Sequence, residues 1–148
     1  MDKHIDGHCH CGKIKYEADI NPAHVAVCHC TDCQTLSGSA FRVAVPTIAG
    51  SFRLLEGDLK TYVKISENGN PREQTFCGEC GSPIYAANPG PQPKVVSLRV
   101  GTIRQPAELA PSLQIWHRSS LPWLDRYASI DKMATQPNFE ANGGFGLD

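Results

Sequence analysis

The sequence predicts a mainly β fold, built from small sheets with short helical turns and stabilised by zinc. Three observations predict it: short runs of alternating apolar and polar residues, turn residues between these runs, and seven cysteines grouped in three short segments. Alternation with a period of two is typical of half-buried strands, and many short strands indicate a mainly β domain. A chain of 148 residues fits one domain and can bury roughly 70% of its unfolded surface.

The N-terminal third of the chain contains two predicted strands and a helical segment. Apolar and charged residues alternate over residues 13–18, as expected of a half-buried strand. The apolar run 25–27 predicts a second strand, which ends at Cys28. One or two helical turns follow, for which Thr31 is the predicted N-cap and Gly38 the predicted stop.

The middle of the chain contains a predicted β-hairpin. Asn68-Gly69 stands between two alternating runs, residues 59–65 and 72–76. Asn-Gly in this position is the strongest short-range signal for a hairpin. The second strand would deliver Cys77 and Cys80 at its end.

The remaining elements are shorter. Strands are predicted at residues 41–45, 52–55, 94–100 and 113–116. Pro46 either ends the first of these strands or places it at a sheet edge. A short helix is predicted over residues 120–127, with Pro122 in its first turn. We expect one zinc-binding domain over residues 1–134 and a flexible tail over 135–148, where Pro, Asn and Gly dominate.

Charge and hydropathy restrict the partners and the location. The 14 basic and 15 acidic residues give a formal net charge of −1, which offers no reason to expect nucleic acid or an acidic membrane as a partner. No apolar run approaches the ~20 residues that span a bilayer, and residues 1–6 lack the apolar core of a signal peptide. We therefore expect a cytoplasmic protein. The sequence leaves its oligomeric state open.

The seven cysteines lie in three motifs: Cys9-x-Cys11, Cys28-x-Cys30-x-x-Cys33 and Cys77-x-x-Cys80. In a reducing compartment, cysteines are more often metal ligands or catalysts than disulfide partners. The odd number of cysteines and the strained geometry of a Cys-x-Cys bridge also disfavour disulfides. Four thiolates close a tetrahedral zinc site, whereas three leave one vertex open, so seven cysteines suit one structural and one reactive zinc.

Two groupings of these motifs are possible. Joining the first and third motifs gives four sulfurs for a structural zinc, which can add ~10–16 kcal/mol of apparent binding free energy to folding. This grouping is favoured because it leaves Cys28, Cys30 and Cys33 contiguous and able to hold one ion together. The alternative, in which the Cys77-x-x-Cys80 pair joins two cysteines of the central motif, stays open at this point.

The expected chemistry follows from the ligands. Zinc with three thiolates carries a net charge of −1 and is a soft, weak Lewis acid, better suited to holding another thiol than to making hydroxide. A substrate thiol at the open vertex would be deprotonated and could attack an electrophilic carbon, making a carbon–sulfur bond. A fourth protein ligand would instead close the site. A zinc module that binds a protein partner without catalysis, and a redox protein that uses the central thiols, are the other possibilities.

Histidines and arginines supply further candidates. His8, His10 and His29 adjoin the cysteines as possible fourth ligands or proton shuttles. In a strand, a residue between two ligands points away from the metal, which argues against His10 and His29; His117 is expected in packing or at the surface. Four arginines could hold the carboxylates of an anionic substrate, although most arginines are simply exposed: Arg42, Arg99, Arg118 and Arg126.

The cysteine motifs and their neighbours resemble a known family. The segments Gly7-His8-Cys9-His10-Cys11-Gly12, Cys28-His29-Cys30-Thr31-Asp32-Cys33 with Gly38-Ser39-Ala40-Phe41, and Phe76-Cys77-Gly78-Glu79-Cys80-Gly81-Ser82-Pro83 follow in this order. Together they resemble the glutathione-dependent formaldehyde-activating enzymes, a family whose domain is related to that of centromere protein V. The resemblance covers about residues 7–115, most of the chain.

The resemblance implies a β-sandwich-like fold akin to methionine sulfoxide reductase B. It implies two zinc ions per chain: a structural one at Cys9, Cys11, Cys77 and Cys80, and a catalytic one at Cys28, Cys30 and Cys33. The implied reaction is the condensation of formaldehyde with glutathione to S-hydroxymethylglutathione, a carbon–sulfur lyase activity, with a small-molecule thiol such as glutathione as partner.

Overall fold

The computed structural model describes residues 1–136, and in this part of the chain the fold is mainly β. The ten strands are β1 (Lys3–His8), β2 (Lys15–Ile20), β3 (Ala26–Cys28), β4 (Arg42–Pro46), β5 (Arg53–Glu56), β6 (Leu59–Ile65), β7 (Pro71–Cys77), β8 (Pro83–Ala87), β9 (Val96–Arg99) and β10 (Leu113–Ile115). One α-helix, α1 (Thr31–Ser37), follows β3. Short 3-10 helices cover Pro22–His24, Val100–Thr102, Pro106–Glu108, His117–Ser119 and Pro122–Ser129. The predicted fold class is confirmed.

The strands form two sheets. The smaller sheet has the order β1-β2-β5, and the larger has the order β10-β3-β4-β9-β8-β7-β6. Neighbouring strands are antiparallel, except that β10 runs parallel to β3. In the larger sheet, β3 lies two strands from β9, although 67 residues, 29–95, lie between the end of β3 and the start of β9 in the chain.

The two sheets share one hydrophobic core. The smaller sheet contributes Ile5, Tyr16 and Ile20, and the larger sheet contributes Val45 and Leu98, all with no exposed surface. Alternate residues of a strand point to opposite faces of its sheet. Val45 and Leu98 point into the core, so the other face of the larger sheet is turned away from the core. That second face carries the cleft described below.

Most predicted strands are present. The Asn-Gly hairpin is confirmed by the pairing of β6 with β7, with Leu59 opposite Cys77. Pro46 ends β4, which is an internal strand of the larger sheet. The strand predicted over residues 94–100 is shorter, because Val100 begins a 3-10 helix. The predicted helix over residues 120–127 is a 3-10 helix, with Pro122 at its start as expected.

Strand β1 is absent from the elements predicted from the sequence. Its residues Lys3–His8 are mostly charged or histidine, so no apolar alternation marks them as a strand. The strand forms because it pairs with β2 over its whole length and buries Ile5. No helix among residues 1–136 is long and apolar enough to cross a membrane. The predicted tail over residues 135–148 lies almost wholly outside the described residues, and the likeness to methionine sulfoxide reductase B stays a prediction.

Candidate metal centres and the adjoining cleft

The first cysteine group gathers four sulfurs from two distant segments. The Sγ atoms of Cys9, Cys11, Cys77 and Cys80 all lie within 4.8 Å of one another. Two of the separations are 3.5 Å, between Cys9 and Cys11, and 3.9 Å, between Cys11 and Cys77. A tetrahedral zinc with Zn–S bonds of ~2.3 Å requires sulfurs ~3.8 Å apart. The group therefore fits a four-coordinate metal ion.

Two tight turns of similar design build this group. After Cys9, the N–H of Gly12 donates to the Cys9 carbonyl, and Gly12 has a φ of 81°. After Cys77, the N–H of Gly81 donates to the Cys77 carbonyl, and Gly81 has a φ of 77°. Glycine adopts this left-handed conformation without steric cost. Each turn folds the chain back, so both sulfurs of a pair face the same point.

The sulfurs also receive hydrogen bonds. The N–H of Ile14 donates to the Sγ of Cys9 over 3.2 Å. The Ser82 hydroxyl lies 3.2 Å from the Sγ of Cys80. This hydroxyl and nearby backbone N–H groups lower the pKa of Cys80 to about 5. A thiol that ionises so readily is suited to metal binding, since the thiolate is the ligand form.

The second group brings together the three cysteines of the central motif. The Sγ atoms of Cys28, Cys30 and Cys33 lie within 4.8 Å of one another. Cys28 is the last residue of β3, Cys30 precedes α1 and Cys33 lies in its first turn. No other Cys, His, Asp or Glu donor among residues 1–136 joins the three. The group therefore fits a metal ion with one ligand position free of protein.

The N-cap of α1 differs from the predicted one. Thr31 was the predicted N-cap, but the helix begins at Thr31 and Cys30 is the capping residue. The Sγ of Cys30 accepts the N–H of Cys33 over 3.2 Å. The cysteine takes the capping position because its extended backbone turns the sulfur towards the free N–H groups of the first turn. Gly38, with a φ of 64°, ends the helix as predicted.

The three thiols differ in their proton affinity. A hydrogen bond from the Cys33 thiol lowers the pKa of Cys28. The same hydrogen bond, together with burial, raises the pKa of Cys33. Burial also raises the pKa of Cys30. In the metal-free protein, the first thiolate of the group therefore forms at Cys28, with Cys33 as its hydrogen-bond donor.

The histidines near the cysteines lie outside both groups. His29 is buried, and its Nε2 atom lies 2.7 Å from the amide oxygen of Gln114. This contact ties the central motif to β10, as does the hydrogen bond from the His29 N–H to the Ile115 carbonyl. His10 is exposed. His117 is exposed, and its ring packs edge-on against that of His29, in agreement with the prediction of packing or a surface position.

The three-sulfur group opens into a cleft on the outer face of the larger sheet. Strand register explains its lining, because directly opposed residues point to the same side of a sheet. Cys28 lies opposite Arg42 on β4, and Ala44, two residues on, lies opposite Arg99 on β9. The side chains of Arg42 and Arg99 therefore project from the same face as the sulfur of Cys28.

The same face continues to the far edge of the sheet. Ser97 lies opposite Ala86, which in turn lies opposite Gln74 on β7. The small side chains of Ala44, Ala86 and Ser97 leave room above the sheet for a cavity of ≈ 180 Å³. Beyond it lies a wider groove of ≈ 700 Å³.

Basic side chains dominate the cleft. Among the residues that the structure describes, its lining includes Arg42, Lys64, Arg72 and Arg99, and no acidic residue. Lys64 is paired with Asp32 of the wider groove at 2.9 Å. Burial and the neighbouring charge of Arg42 lower the pKa of Arg99 to about 9, so this guanidinium still carries its charge at neutral pH.

A tryptophan stands at the entrance. Trp116 lines both the cleft and the wider groove. Its φ of 55° lies in the left-handed region, which is costly for a residue of this size and is found mainly where surrounding structure imposes it. The guanidinium of Arg118 lies 5.1 Å from the centre of the Trp116 ring and also pairs with Glu67. The entrance is thus shaped by β10 and the segment after it.

Comparison with known protein families fits this arrangement. The model of the glutathione-dependent formaldehyde-activating enzyme family matches residues 4–119. The chain belongs to this family. The match includes both cysteine groups and every residue that lines the cleft.

Comparison with solved structures shows the same fold elsewhere. A crystal structure of a Rhodobacter sphaeroides protein, determined by a structural genomics project, superposes with a TM-score of 0.56 at 20% sequence identity. The match covers 74% of this chain and 98% of the other. None of the curated proteins compared matches the sequence.

The four candidate arginines of the sequence have different surroundings. Arg42 and Arg99 line the cleft, Arg118 lies at its entrance, and Arg126 is exposed on a 3-10 helix. Other residues that line the cleft are not among the candidates from the sequence, for example Lys64, Arg72, Gln74 and Trp116. Arg72 and Gln74 are two residues apart on one strand, so the sequence indicates that they share a face of the sheet. It does not indicate that this face is the one beside the cysteines.

Proposed function

We propose that this protein is a zinc-dependent carbon–sulfur lyase that acts on a thiol–carbonyl adduct, in the manner of S-hydroxymethylglutathione formation from formaldehyde and glutathione. The observation that supports it most is a three-cysteine group with a free ligand position, in an open cleft, in a chain of this family. Cys28, Cys30 and Cys33 would hold the catalytic zinc. The structural zinc would be held by Cys9, Cys11, Cys77 and Cys80.

The ion and the protein have separate tasks in this proposal. When bound by three thiolates, zinc supplies a soft Lewis acid that favours the deprotonated form of a thiol brought to it. The residues of the chain would fix where that thiol arrives, since Cys28, Cys30 and Cys33 all line the cleft. Arg42 and Arg99 place positive charge beside the anionic sulfurs. The cleft walls orient the thiol and the carbonyl for reaction.

The reaction balances without a further reagent. The thiol sulfur loses its proton and forms a bond to the carbonyl carbon. The π electron pair of the carbonyl moves to oxygen, which takes up a proton and becomes a hydroxyl group. In the reverse direction the carbon–sulfur bond breaks, and thiol and aldehyde are released. No electrons are transferred, so the thiols of the protein need not cycle between oxidation states.

A protein-binding zinc module is the second candidate. The edge strand β6 exposes Tyr62, Val63 and Ile65, each at least half accessible to solvent. An exposed apolar edge strand can recruit another chain. This reading requires no thiol-dependent chemistry. For either function, we propose a single zinc-binding domain over residues 1–134 and a location in the cytoplasm, where the seven thiols stay reduced.

Catalysis of exchange between free and hydroxymethylated glutathione tests the proposal. Because thiols and formaldehyde also combine without a catalyst, the rate is measured at equilibrium by NMR exchange spectroscopy, with and without the zinc-loaded full chain. We expect the protein to raise the exchange rate in proportion to its concentration. A rate equal to that of the protein-free mixture would favour the protein-binding module.

A further inference from the structure

Two buried arginines meet beside the cysteine group, and neither has an acidic partner among residues 1–136. Arg42 is 6% exposed and Arg99 is 8% exposed. Their guanidinium groups donate to the same atom, the amide oxygen of Gln74, over 3.1 and 3.0 Å. Neither takes part in an ion pair with another residue of the described part of the chain.

Over the described range, the two guanidinium groups lack the negatively charged acceptor that buried charges normally have. Buried charges are normally paired, because removing an unpaired ion from water is strongly unfavourable. One neutral amide oxygen shared by two cations is a poor substitute for a carboxylate, which is charged and has two oxygen atoms that can accept from both guanidinium groups. In addition, the buried Nε of Arg99 has no hydrogen-bond partner in the described part of the chain. The pair therefore retains unused donors in a buried site.

The charge of the metal site does not compensate for the arginines. A divalent ion with three thiolates has a net charge of −1. Arg42, Arg99 and Arg72 together contribute +3, and the hydrogen bond of Arg72 goes to the neutral amide of Asn88. The cleft thus keeps an excess of about two positive charges, since Lys64 is neutralised by Asp32. A ligand that brings a thiolate and one carboxylate would balance it.

The arginine pair is accessible from the cleft. Both guanidinium-bearing residues line the ≈ 180 Å³ cavity together with Cys28 and Cys33. They also border a second cavity of ≈ 200 Å³, whose walls include Tyr62 and Tyr85. Because β3 and β9 are two strands apart, their backbones are separated by about 10 Å. One small molecule can therefore contact the cysteine group and the arginine pair together.

We propose that Arg42 and Arg99 form a carboxylate subsite, and that the substrate thiol carries a carboxylate which both guanidinium groups bind. The amide oxygen of Gln74 occupies this place in the free protein. The inference rests on the proposed function for the position of the thiol, but the subsite depends on the arginines alone. It makes the protein selective for anionic thiols over neutral ones.

Calorimetric titration of matched ligands tests the subsite directly. The zinc-loaded full chain is titrated with 4-mercaptobutyrate, with 4-mercaptobutanol, and with butyrate, which has no thiol. Since a charge-assisted hydrogen bond in a buried site is worth about a 10- to 100-fold change in affinity, we expect the acid thiol to bind that much more tightly than the alcohol. In Arg99→Met, the affinities of the two thiols should differ by no more than about threefold. Arg104 is an exposed arginine paired with Asp6, so Arg104→Gln should keep the full difference in affinity.

A second variant covers the case in which Arg99→Met does not fold. Gln74→Glu keeps the shape of the side chain and places a carboxylate where both arginines already donate. We expect this internal carboxylate to remove the preference for 4-mercaptobutyrate while 4-mercaptobutanol binds as before. Persistence of the preference in Gln74→Glu would contradict the subsite.

The three ligands separate the two hypotheses. Equal affinity of both thiols for the unmodified protein overturns the subsite and leaves the proposed thiol chemistry in place. Binding of butyrate as tightly as 4-mercaptobutyrate, with loss of both in Gln74→Glu, supports the subsite and contradicts thiol binding at the metal. Absence of binding by all three overturns both.

Discussion

Cys77→Ser is expected to prevent the protein from folding. The serine hydroxyl is a poor zinc ligand at neutral pH, so the four-sulfur group would lose its metal. Structural zinc contributes ~10–16 kcal/mol of apparent binding free energy, whereas the net stability of a domain is only ~5–15 kcal/mol. Cys77 is also buried at 1% exposure, and its turn joins β7 to β8. Circular dichroism melting and zinc analysis of the purified variant measure the effect.

Cys33→Ser serves as the matched control for that experiment. It removes one sulfur from the other group without disturbing the core, because Cys33 is only partly buried. With zinc bound at the four-sulfur group, we expect Cys33→Ser to melt at the same temperature as the unmodified protein. Cooperative melting of Cys77→Ser at the unmodified temperature would show that the four-sulfur group is not structural.

The second large effect is on catalysis. Cys33→Ser should abolish thiol-dependent exchange, because three sulfurs are needed to hold the reactive ion with one position free. Removing a residue that only hydrogen-bonds to a metal ligand typically lowers metal affinity or activity about 10- to 100-fold. Removing a ligand itself should lower them by more than this. NMR exchange spectroscopy gives the rate, and metal analysis should show one zinc fewer per chain.

The helix that carries Cys33 offers a control for this variant. Thr35 is an exposed residue of α1 outside the cysteine group. Thr35→Ala should therefore keep both its zinc content and its exchange rate. Exchange at the unmodified rate in Cys33→Ser would contradict the assignment, and unfolding of that variant would give Cys33 a structural role instead.

Local patterns in the sequence were sufficient to predict several features of the fold. The Asn-Gly hairpin and the helix stop at Gly38 each depend on a few neighbouring residues, and both are present. Spacing also identified all seven cysteines as candidates. The N-cap was wrong because Thr31 has the more favourable propensity, while the extended backbone at Cys30 decides the capping position.

The cleft could not be predicted in the same way. Arg42, Gln74 and Arg99 meet because β4, β9, β8 and β7 are neighbours in that order, and periodicity within a strand does not reveal the order of strands. The buried charges of the two arginines also run against their usual exposure. Likewise, β1 has no apolar pattern of its own and depends on its partner β2.

The sulfur coordination of the bound zinc tests the central claim most directly. X-ray absorption on the full chain with two zinc ions should give an average of about 3.5 sulfur ligands per zinc, because groups of four and three cysteines share the ions. Adding glutathione should raise the average to about 4, as its thiol takes the free position. An average that does not change on adding the thiol would contradict an open, thiol-binding site at Cys28, Cys30 and Cys33.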